Sequence, residues 1–78
     1  MQAENGFEYA IKRVKLGYRM ARKGWNGKEQ YIELATNVSF VDHAKMGNKA
    51  IAFHGTSGVQ LGWLASQADM LAEDWIEV

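Results

Sequence analysis

Four side chains could in principle supply a nucleophile, a general base and an orienting acid: those of Ser57, Ser66, His54 and Asp69. Nucleophilic catalysis requires such groups within hydrogen-bond reach of one another. Many enzymes of this kind carry the serine in a local signature such as G-x-S-x-G, and the sequence contains none. We therefore predict no catalytic residues and no enzymatic activity.

Residues that bind metals are scarce. The chain has no cysteine and two histidines, His43 and His54, which lie eleven residues apart. Neither histidine has the His-x₃-His or His-Glu spacing that is typical of metal sites. We therefore predict no metal site, no disulfide and no cofactor.

Two segments carry groups that suit phosphate. The run H-G-T-S-G at residues 54–58 has glycines that let backbone N–H groups approach an anion, but it lacks the P-loop pattern and no helix follows it. A hairpin turn is the simpler interpretation. Arg19, Arg22 and Lys23 could hold phosphate oxygens, since the arginine fork matches them, or could form a solvated strand face. Both interpretations of the basic group remain open at this stage.

Charge is distributed unevenly along a chain whose formal net charge is zero. Residues 1–28 contain seven basic and two acidic residues, giving +5, whereas residues 29–78 contain two basic and seven acidic residues, giving −5. The basic half could bind nucleic acid or phosphate, or the halves could pair within a monomer or between subunits. Because duplex-binding proteins usually carry an overall basic excess, we predict no polymeric nucleic-acid partner.

Length and hydropathy limit the class of protein further. The 78 residues suit a single domain, residues 1–78, with a narrow stability margin. No stretch approaches the roughly 20 apolar residues of a membrane span, and no signal peptide is visible, so we expect cytoplasmic localisation and no membrane partner. Oligomerisation is the remaining way to stabilise so small a domain, although the three tryptophans could equally fill a monomer core.

The first half of the chain reads as a helix followed by a hairpin. Apolar residues recur at helical spacing over residues 5–17, with Asn5 as the expected N-cap and Gly17 just past the C-terminus. Residues 26–27, Asn-Gly, predict a type I′ turn between strands at residues 18–25 and 28–35. Trp25 would then stand at the end of the sheet, where an indole is seldom needed to fill a core.

The second half predicts further strands and a short helical turn. Val38, Phe40 and Val41 suggest a short strand, and residues 49–54 and 59–64 alternate as a second hairpin. The helical turn would begin at an N-cap, Ser66, with Asp69 adding negative charge to its first turn. The last strand would run over residues 75–78. The predicted fold class is α+β: an N-terminal helix on a small antiparallel sheet, a short C-terminal helical turn and a final strand.

Three segments together resemble one known family. They are the helix that ends in K-L-G, the motif A-R-K-G-W-N-G-K at residues 21–28 and the run G-W-L-A-S-Q-A-D-M-L-A-E-D-W-I-E-V at residues 62–78. In these segments the chain is similar to the small phage and prophage proteins of the second Thoeris anti-defence family. The segments cover about half of the chain, and residues 36–61 carry no part of the resemblance.

The resemblance implies a protein that binds a signal without cleaving it. Family members are symmetric oligomers, typically tetramers, that hold a cyclic nucleotide-derived immune signal between subunits, and some also hold cyclic oligonucleotides at a separate site. The Thoeris signal is a glycocyclic ADP-ribose, whose adenine suits an aromatic face and whose phosphates suit arginine. The implied ligand-binding residues are Phe7, Trp25 and Trp63 for the base, Asn26, Ser66, Gln67 and Asp69 for base edges and sugars, and Arg22 for phosphate.

The segment at residues 62–78 would also contribute to the core. We expect Leu64, Met70, Leu71 and Trp75 to close the core, while the polar residues of the segment face a pocket between subunits. The alternative hypothesis is a non-catalytic interaction module that inhibits a host protein through exposed tryptophans.

Overall fold

A five-stranded antiparallel sheet with the order β4-β3-β2-β1-β5 forms the centre of the fold. The computed structural model describes residues 5–25, 29–39, 41–42, 44, 47 and 49–78. Its elements are α1 (Phe7–Lys15), β1 (Met20–Arg22), β2 (Tyr31–Leu34), a 3₁₀ turn (Ala35–Asn37), β3 (Ile51–Gly55), β4 (Gly58–Leu61), α2 (Gln67–Leu71) and β5 (Trp75–Glu77). The predicted α+β class, with its N-terminal helix and final strand, is confirmed.

Helix α1 ends as the sequence predicts but begins differently. The N–H groups of Gly17 and Tyr18 donate to the carbonyls of Val14 and Arg13, and Gly17 has a φ of +98°, which together form a Schellman C-cap. The N-cap is Gly6, with no side-chain cap, so the prediction for Asn5 is wrong. Asn5 exchanges two hydrogen bonds with the backbone of Trp75 instead, which ties the start of α1 to β5.

The first hairpin is present, with shorter strands than predicted. Strands β1 and β2 pair antiparallel with Met20 opposite Ile32, and β1 ends at Arg22 while β2 begins at Tyr31. The backbone N–H of Lys23 donates to the carbonyl of Asp74, which draws this end of β1 toward β5. The predicted type I′ turn at residues 26–27 lies outside the described residues.

The described residues of the middle segment fold over the sheet and form no strand. Where a strand was predicted at Val38 and Val41, the described residues form the 3₁₀ turn and a bend, and Phe40 lies outside them. Ala35 and Val38 pack on Ala52 of β3 and form a small second core. This core covers part of the sheet face opposite α1.

The second hairpin agrees with its prediction. Strands β3 and β4 pair from Ala52–Leu61 to Gly55–Gly58, and a two-residue turn, Thr56-Ser57, joins them. The H-G-T-S-G run is therefore a hairpin turn, as its simpler interpretation held. The strands are shorter than predicted, and β4 forms one edge of the sheet.

The last segment combines a confirmed cap with an incorrectly predicted core. Ser66 caps α2 in a capping box with Asp69, and β5 follows at the predicted place. The side chain of Trp75 is fully buried, at 0% exposure, and belongs to the main core with Val14, Met20 and Ile32. Leu64 and Leu71, at 87% and 81% exposure, and the exposed Met70 lie outside this core, so their predicted role is wrong. The helix α2 is short enough that its capping bonds and Trp75 anchor it without burying these side chains.

Ion pairs link the basic and acidic halves of the chain within one molecule. Arg13 pairs with Glu77, Arg19 with Glu33, and Arg22 with both Asp69 and Asp74. All three arginines therefore hold acidic partners from the second half. Of the interpretations of the charge asymmetry, the structure shows pairing within the monomer. No helix in the described part of the chain is long and apolar enough to cross a membrane.

Candidate functional site

Several of the predicted site residues meet at Asp69. Its Oδ1 accepts hydrogen bonds from Nη1 of Arg22 at 3.0 Å and from Nε1 of Trp25 at 3.4 Å. Its Oδ2 accepts from the backbone N–H of Ser66 at 3.2 Å, and the Ser66 hydroxyl accepts from the Asp69 N–H. Four of the eight predicted residues are thus brought together, through hydrogen bonds that are internal to the protein.

Arg22 lies between two carboxylates. Besides Asp69, its Nε donates to Oδ1 of Asp74 at 2.9 Å, and Oδ2 of Asp74 accepts from the Gly24 N–H at 2.9 Å. The hydrogen bond from Arg22, opposed by desolvation and aided by Gly24, lowers the pKa of Asp74 below its ordinary value. Burial acts to raise the pKa of Asp69, but the bonds from Arg22, Ser66 and Trp25 outweigh it and lower that pKa overall. The positive charge of Arg22 is therefore already compensated by protein groups.

The three indoles and Phe53 form one aromatic cluster. The Trp25 ring lies 5.3 Å from Trp75, 5.4 Å from Phe53 and 6.4 Å from Trp63, each edge to face. Trp63 in turn stacks on Phe53 with 17° between the ring planes. The expectation that Trp25 stands clear of the core is wrong, because the wide connection after β1 folds its indole onto the core. Part of its side chain remains exposed.

The other predicted residues are dispersed. Phe7 packs on Trp75 at 5.8 Å and borders a separate hollow of about 250 Å³ beside Met70 and Leu71. Gln67 is exposed at the first position of α2. Asn26 lies outside the described residues. The ligand contacts assigned to all eight residues stay predictions.

A cleft of about 680 Å³ lies on the sheet. By strand alternation, Ala21, Tyr31, His54 and Ile76 point to the sheet face opposite α1, and these residues line it. Trp25 and Arg22 border it at the end of β1, so two of the predicted site residues reach it. Its other lining residues are Arg19, Lys23, Glu29, Gln30, Gly55 and Val78.

One wall of the cleft is an ordered group of charged and aromatic side chains. The guanidinium carbon of Arg19 lies 4.8 Å from the centre of the Tyr31 ring, and that ring stacks on His54 at 4.3 Å. Glu33, almost fully buried, has Oε1 3.4 Å from Nε of Arg19 and Oε2 2.5 Å from Nε2 of His54. The histidine contact is close enough for an ion pair when the imidazole is protonated but is not aligned as a hydrogen bond.

The sequence pattern leaves the role of Arg19 and Lys23 open and does not predict a role for Tyr31 or Glu33. The signal that could have identified them is period-two alternation. Arg19, Ala21 and Lys23 share one face around β1, and Tyr31 and Glu33 share the same face of β2. Recognising that face required knowing which side of the sheet α1 covers.

The fold and the cleft define a class: a small α+β protein whose open sheet face carries a cleft lined by aromatic and charged side chains. In the part of the chain that the structure describes, no group of three His, Cys, Asp or Glu could hold a metal ion. Residues 5–78 match the Tad2-like family, described as the Thoeris anti-defense 2-like domain, and the chain belongs to this family. It is 32% identical over 87 aligned residues to Thoeris anti-defense 2 of Bacillus phage SP01, with 96% of each chain covered. Family membership supports a role in phage anti-defence.

Proposed function

We propose that this protein counters bacterial defence by binding a cyclic nucleotide-derived immune signal and holding it away from its receptor without degrading it. The glycocyclic ADP-ribose of the Thoeris system is the proposed ligand, and cyclic oligonucleotides are further candidates. The observation that carries the proposal is the cleft beside Trp25, because it places aromatic rings and cationic side chains around one space. The name of the phage relative, Thoeris anti-defense 2, supports the same direction.

The chemistry of the cleft suits this ligand class. A nucleotide-derived signal presents a flat base, which gains from contact with an aromatic ring, and phosphates, which gain from charged N–H donors. Trp25 supplies a ring, and Arg19 and Lys23 supply cations. A volume of about 680 Å³ also lies within the roughly 300–1,000 Å³ range of small-molecule sites.

Several contacts favour sequestration over turnover. The Ser66 hydroxyl serves as the cap of α2, and the Asp69 carboxylate is held by Arg22, Trp25 and Ser66. His54, the base that a serine would need, contacts Glu33 and Tyr31 on the sheet face opposite α1. These groups therefore have structural partners in place of the mutual contacts that nucleophilic catalysis requires.

We further propose that the protein self-associates and forms a homotetramer. The cleft is open to solvent, and a sponge that competes with a receptor needs a Kd at or below about 1 nM, roughly −12 kcal/mol. A second subunit would enclose the ligand more fully than one sheet face can. Exposed apolar side chains support such contacts, among them Val59 and Leu61 on the edge strand β4, Leu64 before α2 and Leu71 at its end.

Ligand capture can be tested directly. The protein is incubated with purified glycocyclic ADP-ribose, freed of unbound ligand by gel filtration and heat-denatured, and the supernatant is analysed by mass spectrometry. We expect intact signal to be released in a fixed ratio to protein. A hydrolysed product would place the protein among enzymes, and an empty supernatant would refute capture of this signal.

A second candidate function is inhibition of a host protein through a docking surface. Exposed Leu64 and Leu71 favour it, although Trp75 is buried and the other two indoles are partly buried in the aromatic cluster. Stoichiometric co-purification of one host protein, lost on Leu64→Lys and Leu71→Lys substitution, would support this alternative.

A further inference from the structure

Arg19 differs from the other two arginines in how it meets its acidic partner. Arg13 and Arg22 direct a terminal nitrogen to a carboxylate, at 2.7 Å and 3.0 Å. Arg19 approaches Glu33 only through Nε, at 3.4 Å, and no other described residue pairs with its Nη1 and Nη2. Its side chain is 56% exposed at the cleft. A guanidinium with both terminal nitrogens free is the group that binds phosphate oxygens in a bidentate way.

The Arg19 guanidinium is also held in place before any ligand arrives. Its carbon lies 4.8 Å from the centre of the Tyr31 ring, and its Nε donates to the buried Glu33 carboxylate at 3.4 Å. Both of these residues belong to β2, the central strand of the sheet. A side chain ordered in this way loses less conformational freedom on binding, so more of its interaction energy remains as affinity.

Lys23 places a second cation on the same face of the sheet. It is exposed, it lines the cleft, and within the described residues its ammonium has no acidic partner. Among the described lining residues Glu29 is the one acid, while Arg22 is compensated by Asp69 and Asp74. Within the described residues, the Lys23 ammonium and the terminal nitrogens of Arg19 are therefore the cationic donors of the cleft that no carboxylate pairs with.

We propose that Arg19 and Lys23 form the phosphate-binding end of the cleft, with Glu33 as the positioning residue for Arg19. The ligand class is a nucleotide whose phosphates face these two cations and whose base faces Trp25. For the identity of the natural ligand this inference rests on the proposed function. It assigns the phosphate contact to Arg19, in place of the already compensated Arg22.

ADP serves as the test probe, with binding followed by calorimetry and by the ³¹P resonances. We expect the Arg19→Gln/Lys23→Gln double variant to bind ADP ten- to about a hundredfold more weakly, as the loss of charge-assisted bonds predicts. Arg13→Gln is a matched control, because Arg13 also pairs with a carboxylate and lies 4.0 Å from a tyrosine ring, yet it does not line the cleft. Its ADP affinity should equal that of the wild type.

Three outcomes of the ADP experiment overturn the assignment: no ADP binding by the wild type, unchanged affinity in the double variant, or an equal loss in Arg13→Gln. The proposed function fails separately, when the wild type binds ADP with the predicted dependence on Arg19 and Lys23 but does not retain the signal. If the signal is retained equally by the wild type and the double variant, sequestration stands and the phosphate-binding end is refuted.

The positioning role of Glu33 needs a readout beyond stability. In Glu33→Gln we expect the ¹H–¹⁵N resonance of the Arg19 Nε–H group to shift and ADP affinity to fall severalfold. A variant that melts at lower temperature but keeps both the resonance and the affinity would show that Glu33 is only structural.

Discussion

At the scale of single residues, Asp69 forms hydrogen bonds that connect several parts of the protein. Its carboxylate joins β1, through Arg22, to the N-terminus of α2, through Ser66, and its carbonyl accepts from Nε1 of Trp75 at 3.0 Å. The family resemblance implies contacts of Asp69 with the sugars and base edges of a ligand, and these contacts stay a prediction. The structure shows that Asp69 orders the aromatic cluster that borders the cleft.

The Asp69 contacts predict a pH-dependent loss of stability on Asp69→Asn substitution. At pH 7 we expect the free energy of unfolding to fall by about 1.5–3 kcal/mol, the range for hydrogen bonds to charged groups. Because the folded-state pKa of Asp69 is lowered, the carboxylate contributes stability above its unfolded pKa, near 3.9, and loses it as pH falls further.

The difference between wild type and Asp69→Asn should therefore shrink as pH falls below about 4. Urea unfolding at several pH values measures this difference, and Glu73→Gln, at an exposed neighbouring acid, is the control. A difference that is constant over this range would show that the charge of Asp69 is not what stabilises the fold.

At the scale of elements, α2 is a helix of five residues that neither length nor burial could stabilise alone. None of its residues is buried. It is held by the capping box at its start and by the hydrogen bond from Trp75 to the Asp69 carbonyl. These hydrogen bonds thus stabilise α2 in place of the buried apolar face that normally stabilises a helix.

Loss of the cap should therefore have a measurable effect. We expect Ser66→Ala to lower the free energy of unfolding by about 1 kcal/mol, the usual cost of removing an N-cap. Ser57→Ala, in the exposed turn between β3 and β4, should change it little. Equal urea midpoints for wild type and Ser66→Ala would contradict a stabilising cap.

Signals that act within a few residues were sufficient for α1, the β3–β4 hairpin, the Ser66 cap and β5. The incorrect predictions depended on distant partners: Asn5 bonds to Trp75, Asp74 draws the chain after β1 toward β5, and Trp25 packs on the core. The same holds for the site, since the Arg19–Glu33–His54 group forms only when three strands are placed side by side.

At the scale of the whole molecule, the edge strand β4 is unprotected. Its four residues, Gly58–Leu61, are all exposed and include neither a charge nor a proline. Natural proteins usually shield such edges with lysine, proline or a bulge, because an open edge can pair with another chain. Val59 and Leu61 sit on one face of this strand and add apolar area to the exposed edge.

We accordingly expect Val59→Lys to weaken the proposed assembly without unfolding the subunit. Light scattering after gel filtration should show a smaller species, while circular dichroism remains that of the wild type. Thr56→Lys, in the adjacent turn, controls for added charge. A wild-type protein that is already monomeric at micromolar concentration would refute self-association, and an unchanged Val59→Lys assembly would place its contacts elsewhere.

The aromatic cluster has an optical consequence. All three tryptophans of the chain lie within 5.3–6.4 Å of one another, and only Trp25 borders the cleft. Excitation energy migrates readily between indoles at such separations, so a base that quenches Trp25 also removes emission that began at Trp63 or Trp75. The ultraviolet emission of the unlabelled protein thus reports on occupation of the cleft as a single signal.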